Sequence, residues 1–229
     1  MPLVATDKIW MNGHLVDCDK AQVHVLTHAM HYGSSVFEGI RCYETPAGSS
    51  VFRLRDHLIR LMHSAKIYRM DVPWTVDQLE AACLETIRFN RLKTCYIRPL
   101  LFRGYGEMGV FPLKNPVETA IAVWPWGRYL GPEALEQGVD VQVSSWTRMA
   151  PNTFPALAKV GGNYAASQLI KMEAHLNGFA EGICLTMDGH VAEGSGENLF
   201  LMYQGKLFTP PVASSILQGI TRDTILEIA

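Results

Sequence analysis

The 229-residue sequence predicts an α/β (α+β) chain of two domains, on three observations. Short apolar runs bounded by turn residues read as strands, and stretches of helical periodicity are interleaved with them. A break at Pro125–Pro132, rich in Pro, Gly and aromatic residues, interrupts both patterns near mid-chain. A hydrophobic content of 48% is enough for one large core or two smaller ones. The expected division is a small domain over residues 1–124, a linker over 125–133 and a larger domain over 134–229.

Element by element, Ile9–Met11 and His14–Val16 flank Asn12–Gly13, whose tolerance of positive φ predicts a type I′ hairpin. A second hairpin is expected to pair Ser35–Tyr43 with Val51–Leu54 across a Pro46–Ser50 loop. Leu58, Leu61, Met62 and Ala65 recur at helical spacing over Asp56–Ile67, and Thr75 with Gln78 forms a capping box opening a helix to about Asn90. Strands follow at Thr94–Phe102, Thr119–Trp124 and Val139–Trp146. Next come a helix over Tyr164–Asn177 stopped by Gly178, strand Ile183–Met187, an Asp188–Gly189 turn and strand Asn198–Tyr203. The last segment, GITRDTILEIA, begins a helix with Thr221 as N-cap. It is still amphipathic and uncapped at Ala229, so the C-terminal domain is expected to be incomplete.

Twenty basic and twenty-two acidic side chains leave a formal charge of −2, with no basic run, so nucleic acid and anionic membranes are disfavoured as partners. Five scattered cysteines without a Cys-x-x-Cys predict neither a disulfide framework nor a zinc site, and suit a reducing cytoplasm. No metal is expected. The N-terminus has no signal-peptide pattern, and no apolar run is long enough to span a bilayer.

PALAKVGGNY (155–164) sets Lys159 among small apolar residues and glycines. Desolvation favours the neutral, nucleophilic form of an amine, which suits imine formation; a snorkelling surface lysine is the plainer alternative. The stretch EGSGENLF (193–200), then LFT (207–209) and LQGITR (217–222), matches in order and spacing the signature of the class IV pyridoxal-phosphate aminotransferases. HYGSSVFEGIRCY, HLIRLMHSAKIY, YIRPL, WPWGRYLG and APNTFPALAKVGGNY resemble the bacterial branched-chain amino-acid aminotransferases across essentially the whole chain.

That resemblance implies the two-domain D-amino-acid-aminotransferase-like fold, pyridoxal 5′-phosphate as cofactor, and transfer of the amino group of L-leucine, L-isoleucine or L-valine to 2-oxoglutarate. It makes Lys159 the catalytic and cofactor-anchoring residue and Glu193 the partner of the pyridine nitrogen. Arg60, Gly219, Ile220 and Thr221 would receive the phosphate, and Tyr164 the ring hydroxyl. Gly196, Glu197 and Leu217 complete the cofactor set, and Gly161–Gly162 would let backbone pass close to the ring. Tyr32, Phe37, Gly39, Val110, Trp126 and Tyr129 would form the substrate pocket, with Tyr96 for the α-carboxylate and Arg98 for the distal carboxylate of glutamate. A homodimer or a hexamer is implied, with Tyr32 and Met108–Val110 reaching across an interface. The alternatives are a D-amino-acid aminotransferase, an R-selective amine transaminase, an aminodeoxychorismate lyase or an inactive fragment. The loop after the Arg98 strand, GYGEMGVFP, lacks the Arg-x-His pair of the D-amino-acid enzymes.

Overall fold

A computed structural model describes residues 5–127, 130 and 133–229. The chain divides into two compact units, Met1–Trp126 with Ala158–Gly162, and Gly127–Leu157 with Asn163–Ala229. The short Ala158–Gly162 segment, expected in the second domain, therefore belongs with the first unit. Its backbone bonds supply the reason: the Phe37 N–H donates to the Lys159 carbonyl, and Val160 bridges to Val36.

The first unit carries, in order, β1 (Lys8–Met11), β2 (His14–Asp17), α1 (His28–Tyr32), β3 (Ser35–Phe37), β4 (Ile40–Thr45), β5 (Gly48–Val51), α2 (Leu54–Ile67), α3 (Val76–Phe89), β6 (Cys95–Arg103) and β7 (Val117–Trp124). Its antiparallel sheet runs β2-β1-β7-β6-β4-β5, with β3 also on β6. The Asn12–Gly13 hairpin forms as expected, both residues at positive φ, with Ile9 opposite Val16. The second hairpin is tighter than expected. Thr45 faces Gly48, so only Pro46 and Ala47 turn the chain, and Phe52–Leu54 leaves the sheet to start α2. Ser35–Phe37 pairs with β6 instead of joining that hairpin.

β3 and β4 keep one register along β6, Phe37 opposite Leu100 and Ile40 opposite Ile97. The ladder lapses between them because Pro99 has no N–H; the Glu38 N–H donates to the Pro99 carbonyl and nothing returns. Period-two alternation still holds through the lapse. Val36, Glu38 and Ile40 are buried, while Phe37 and Gly39 take the other face. The buried face packs into a core with Leu58, Leu61 and Ala65 of α2, Leu79 and Cys83 of α3, and Ile97 and Leu101 of β6. α3 opens on the Thr75/Gln78 capping box, formed in both directions.

The second unit holds α4 (Ala134–Gln137), β8 (Val141–Val143), α5 (Tyr164–Leu176), β9 (Glu181–Leu185), β10 (Val191–Gly194), β11 (Leu201–Tyr203), β12 (Lys206–Phe208) and α6 (Ile220–Ile228). β8 is parallel to β9 and much shorter than the expected Val139–Trp146 strand, and β10 returns antiparallel to β9. β10 was not expected: the Asp188–Gly189 turn leads into it, and the later Asn198–Tyr203 strand shortens to β11, paired with β12. α5 covers β9, and Ile170, Cys184, Ala192 and Ile216 form a small core. Gly182 is required there, since a Cβ would lie 2.6 Å from Ile170 Cγ2. α6 starts earlier than Thr221, because Gly219 is the extended N-cap.

Candidate active site

Lys159 is tied down at both backbone groups. Its N–H donates to Ser64 Oγ of α2 (3.0 Å), and its carbonyl accepts from Phe37 of β3 (3.0 Å). Its Nζ lies 4.9 Å from the centre of the Phe37 ring. The following glycines also allow close packing of the chain. A Cβ on Gly161 would lie 2.5 Å from Ser35 Oγ, and Gly162 Cα lies against Gly33.

The face that carries Phe37 also gathers Gly39, Tyr96, Arg98 and Trp126. The Arg98 guanidinium stands 4.6 Å from the Phe37 centroid and 5.3 Å from that of Tyr96, and its Nη2 donates to the Tyr96 hydroxyl (3.3 Å). Trp126 packs on Tyr96 with centroids 4.5 Å apart. Gly39 sits directly beneath the Tyr96 hydroxyl, where any Cβ would lie 1.9 Å away. Among the described residues, the Arg98 Nε is buried without a hydrogen-bond partner. Tyr32 and Val110 belong to another cluster: Tyr32 stacks on His28, whose Nε2 bonds the Gly109 carbonyl (2.8 Å). Val110 is 88% exposed and Tyr32 44%. Tyr129 lies outside the described residues.

Arg60 is held by residues that sequence reasoning missed. Its Nε and Nη2 donate to the two oxygens of Glu38 at 2.7 and 2.8 Å, and His57 Nδ1 lies 2.7 Å from Glu38 Oε2. Glu38 is fully buried. Burial pushes its carboxyl up, but the His57 and Arg60 hydrogen bonds and the Arg60 and Lys159 charges outweigh that and hold it at about 2. The signal was present in the alternation of Val36, Glu38 and Ile40, which places a carboxylate where an apolar residue belongs.

In the second unit, β10 is bulged between Val191 and Glu193, and the bulge turns Glu193 inward. Glu193 Oε1 pairs with Arg148 Nη2 (2.9 Å), while Oε2 accepts from Asn198 Nδ2 and the Leu217 N–H, both at 3.0 Å. Arg148, also missed, is itself buried and donates to the Ser215 carbonyl. Asn198 bonds the Leu217 carbonyl and sits where a Cβ on Gly219 would come within 2.0 Å. Arg222 reaches back to Thr209 and Pro210. Much of the signature thus consists of residues that hold one another.

Ile220 opens α6 directly after Gly219, an N-cap that has no side chain to lay over the first turn of backbone N–H groups. Thr221 is exposed on that first turn, and Tyr164 opens α5. Glu197 Oε2 accepts from the Gly196 N–H (3.1 Å). Burial, and then the charge of Glu181, push the Glu197 carboxyl up to about 7. Glu181 binds the same loop through the Ser195 N–H and is paired with Lys171 at 2.7 Å.

The family description "Amino-transferase class IV" matches residues 35–229. The chain is 54% identical over 224 residues to the branched-chain-amino-acid aminotransferase of Escherichia coli K12, covering 97% of this chain and 72% of that one. The crystal structure of the E. coli enzyme superposes with a TM-score of 0.96, over 98% of this chain and 74% of that chain. The branched-chain amino acid aminotransferase of Thermobaculum terrenum, solved in its PLP (holo) form, is 32% identical with a TM-score of 0.89, over 98% of this chain and 73% of that chain.

Proposed function

The chain belongs to the class IV aminotransferases, and from that premise we propose that it moves the amino group of L-leucine, L-isoleucine or L-valine to 2-oxoglutarate. The products are the branched 2-oxo acid and L-glutamate, and the cofactor is pyridoxal 5′-phosphate. The observation that carries this reading is that one ring, Phe37, lies beside both an anchored amine, Lys159 Nζ, and a carboxylate receptor, Arg98.

The residues present fit the cofactor by their own chemistry. Lys159 is a backbone-fixed amine. Glu193 is a buried carboxylate oriented by three donors. The start of α6 offers first-turn N–H groups and the positive end of a helix dipole. When bound, pyridoxal phosphate supplies an electron sink for the substrate α-carbon.

Lys159 Nζ would hold the cofactor and would carry the proton to and from the substrate α-carbon. Glu193, kept in orientation by Arg148 and Asn198, would accept the pyridine N–H. Gly219, Ile220 and Thr221, and Arg60, would receive the phosphate, Tyr164 would bond the ring hydroxyl, and Gly196, Glu197 and Leu217 would complete the cofactor set. Phe37, Gly39, Tyr96 and Trp126 shelter the branched side chain from water. Arg98 takes the distal carboxylate when glutamate occupies the same place, and Tyr96 takes the α-carboxylate.

Tyr32 and Val110, exposed in this chain, are assigned to a contact between copies in a homodimer or hexamer. Sedimentation would show that assembly. The compartment assigned is the cytoplasm; among the described residues no helix is long and apolar enough to cross a membrane.

Turnover of L-leucine with 2-oxoglutarate tests the reading against D-alanine and 1-phenylethylamine. The expected result is activity on the L-amino acid alone. Activity on D-alanine without L-leucine would assign the chain to another branch of the class.

A further inference from the structure

We propose that Glu38 is a positioning residue that fixes the Arg60 guanidinium in the orientation needed to receive the cofactor phosphate, with His57 as its brace. The inference rests on the assignment of Arg60 to that phosphate.

Glu38 occupies a position on the core-facing side of the β3–β4 register, between buried Val36 and Ile40. Placing a carboxylate there is costly unless it is paired and hydrogen-bonded. The pairing it receives is directional. An arginine binds a carboxylate through two parallel N–H bonds only in the guanidinium plane, so engaging Nε and Nη2 together fixes that plane. A flexible arginine is thereby reduced to one orientation before any ligand arrives, which lowers the entropic cost of binding.

The carboxylate is in turn immobilised. His57 Nδ1 is on Oε2, and the Gly39 N–H reaches the same oxygen at 3.3 Å. His57 and Arg60 are three residues apart on α2, which puts both on the face that looks at β3. Ser64, one helical turn beyond Arg60 on the same stripe, accepts the Lys159 N–H and donates to the Arg60 carbonyl. One face of α2 therefore presents His57 and Arg60 to Glu38 and holds Lys159 by its backbone. The low-lying Glu38 carboxyl keeps the clamp charged throughout the neutral range.

A purely structural ion pair would make the same contacts, so the test compares ligands with and without the phosphate. Affinities of the full chain for pyridoxal 5′-phosphate and for pyridoxal are measured by equilibrium dialysis for the parent, Glu38→Gln, Glu38→Asp, His57→Gln and Arg60→Ala. The expected result is a fall of about tenfold or more in the phosphate-to-pyridoxal affinity ratio for the Glu38 variants, the scale of one charge-assisted hydrogen bond. Pyridoxal affinity itself should hold. If Glu38→Gln loses its cooperative melt, Glu38→Asp and His57→Gln carry the comparison, since both keep a carboxylate charge at position 38. A ratio unchanged in the folded variants while Arg60→Ala lowers it, or parallel losses for both ligands, overturns the proposal. An unchanged ratio in Arg60→Ala overturns the assignment of Arg60 and the proposal with it.

Discussion

Glu38 grips Arg60 with both carboxylate oxygens, at 2.7 and 2.8 Å, on a sheet face where its neighbours Val36 and Ile40 are apolar. The pair joins strand to helix inside the core. Removing one partner leaves the other charged and without its counter-ion.

Glu38→Gln is accordingly expected to destabilise the chain by about 3 to 5 kcal/mol at neutral pH. The sign of the pH dependence follows from the lowered carboxyl. Its folded value of about 2 lies below the ordinary 4.5, so the stabilisation is present above 4.5 and is lost as pH falls towards 2. Denaturant melts of parent and variant should therefore differ most above pH 5 and converge in acid.

Glu197 should behave in the opposite way. Burial and Glu181 raise its carboxyl from 4.5 to about 7, so its contribution is present below 4.5 and lost as pH rises through 7. Glu197→Gln keeps a neutral group of the same size. The variant should lose the parent's decline between pH 5 and 8 and exceed the parent at pH 8 by about 1 to 2 kcal/mol, read from melting curves.

Gly39→Ala places a methyl where the Tyr96 hydroxyl stands, 1.9 Å from a built Cβ. The ring must move, at a cost of about 1 to 3 kcal/mol, and its bond with Arg98 should break. Combining Gly39→Ala with Tyr96→Phe removes the clashing oxygen, so a double-mutant cycle should recover much of the lost stability. Additive losses would place the strain elsewhere.

Elements with a local chemical marker were legible in the sequence. Asn12–Gly13 needs only its own φ angles, and the Thr75/Gln78 box closes over one turn. Elements that depend on partners were not. β10 has little apolar pattern and exists through its pairing with β9, while Ser35–Phe37 chose β6 over a nearer strand. At the site, Phe37, Gly39, Tyr96 and Arg98 follow from the resemblance, and the structure gathers them on one face. Arg148 escaped because a lone basic residue reads as a solvated one until its burial is known, whereas Glu38 was marked only by its place in the alternation between Val36 and Ile40. Thr221 was expected as the cap of α6, yet the extended backbone falls at Gly219, where Asn198 leaves no space for a side chain.

The account turns on Lys159 as the amine that holds the cofactor. Borohydride reduction of the chain after incubation with pyridoxal 5′-phosphate, followed by peptide mass mapping, tests this most directly. The account predicts one phosphopyridoxyl group, on the peptide containing Lys159, and none in Lys159→Ala. Modification centred on another lysine, or a yield unchanged in Lys159→Ala, would contradict it.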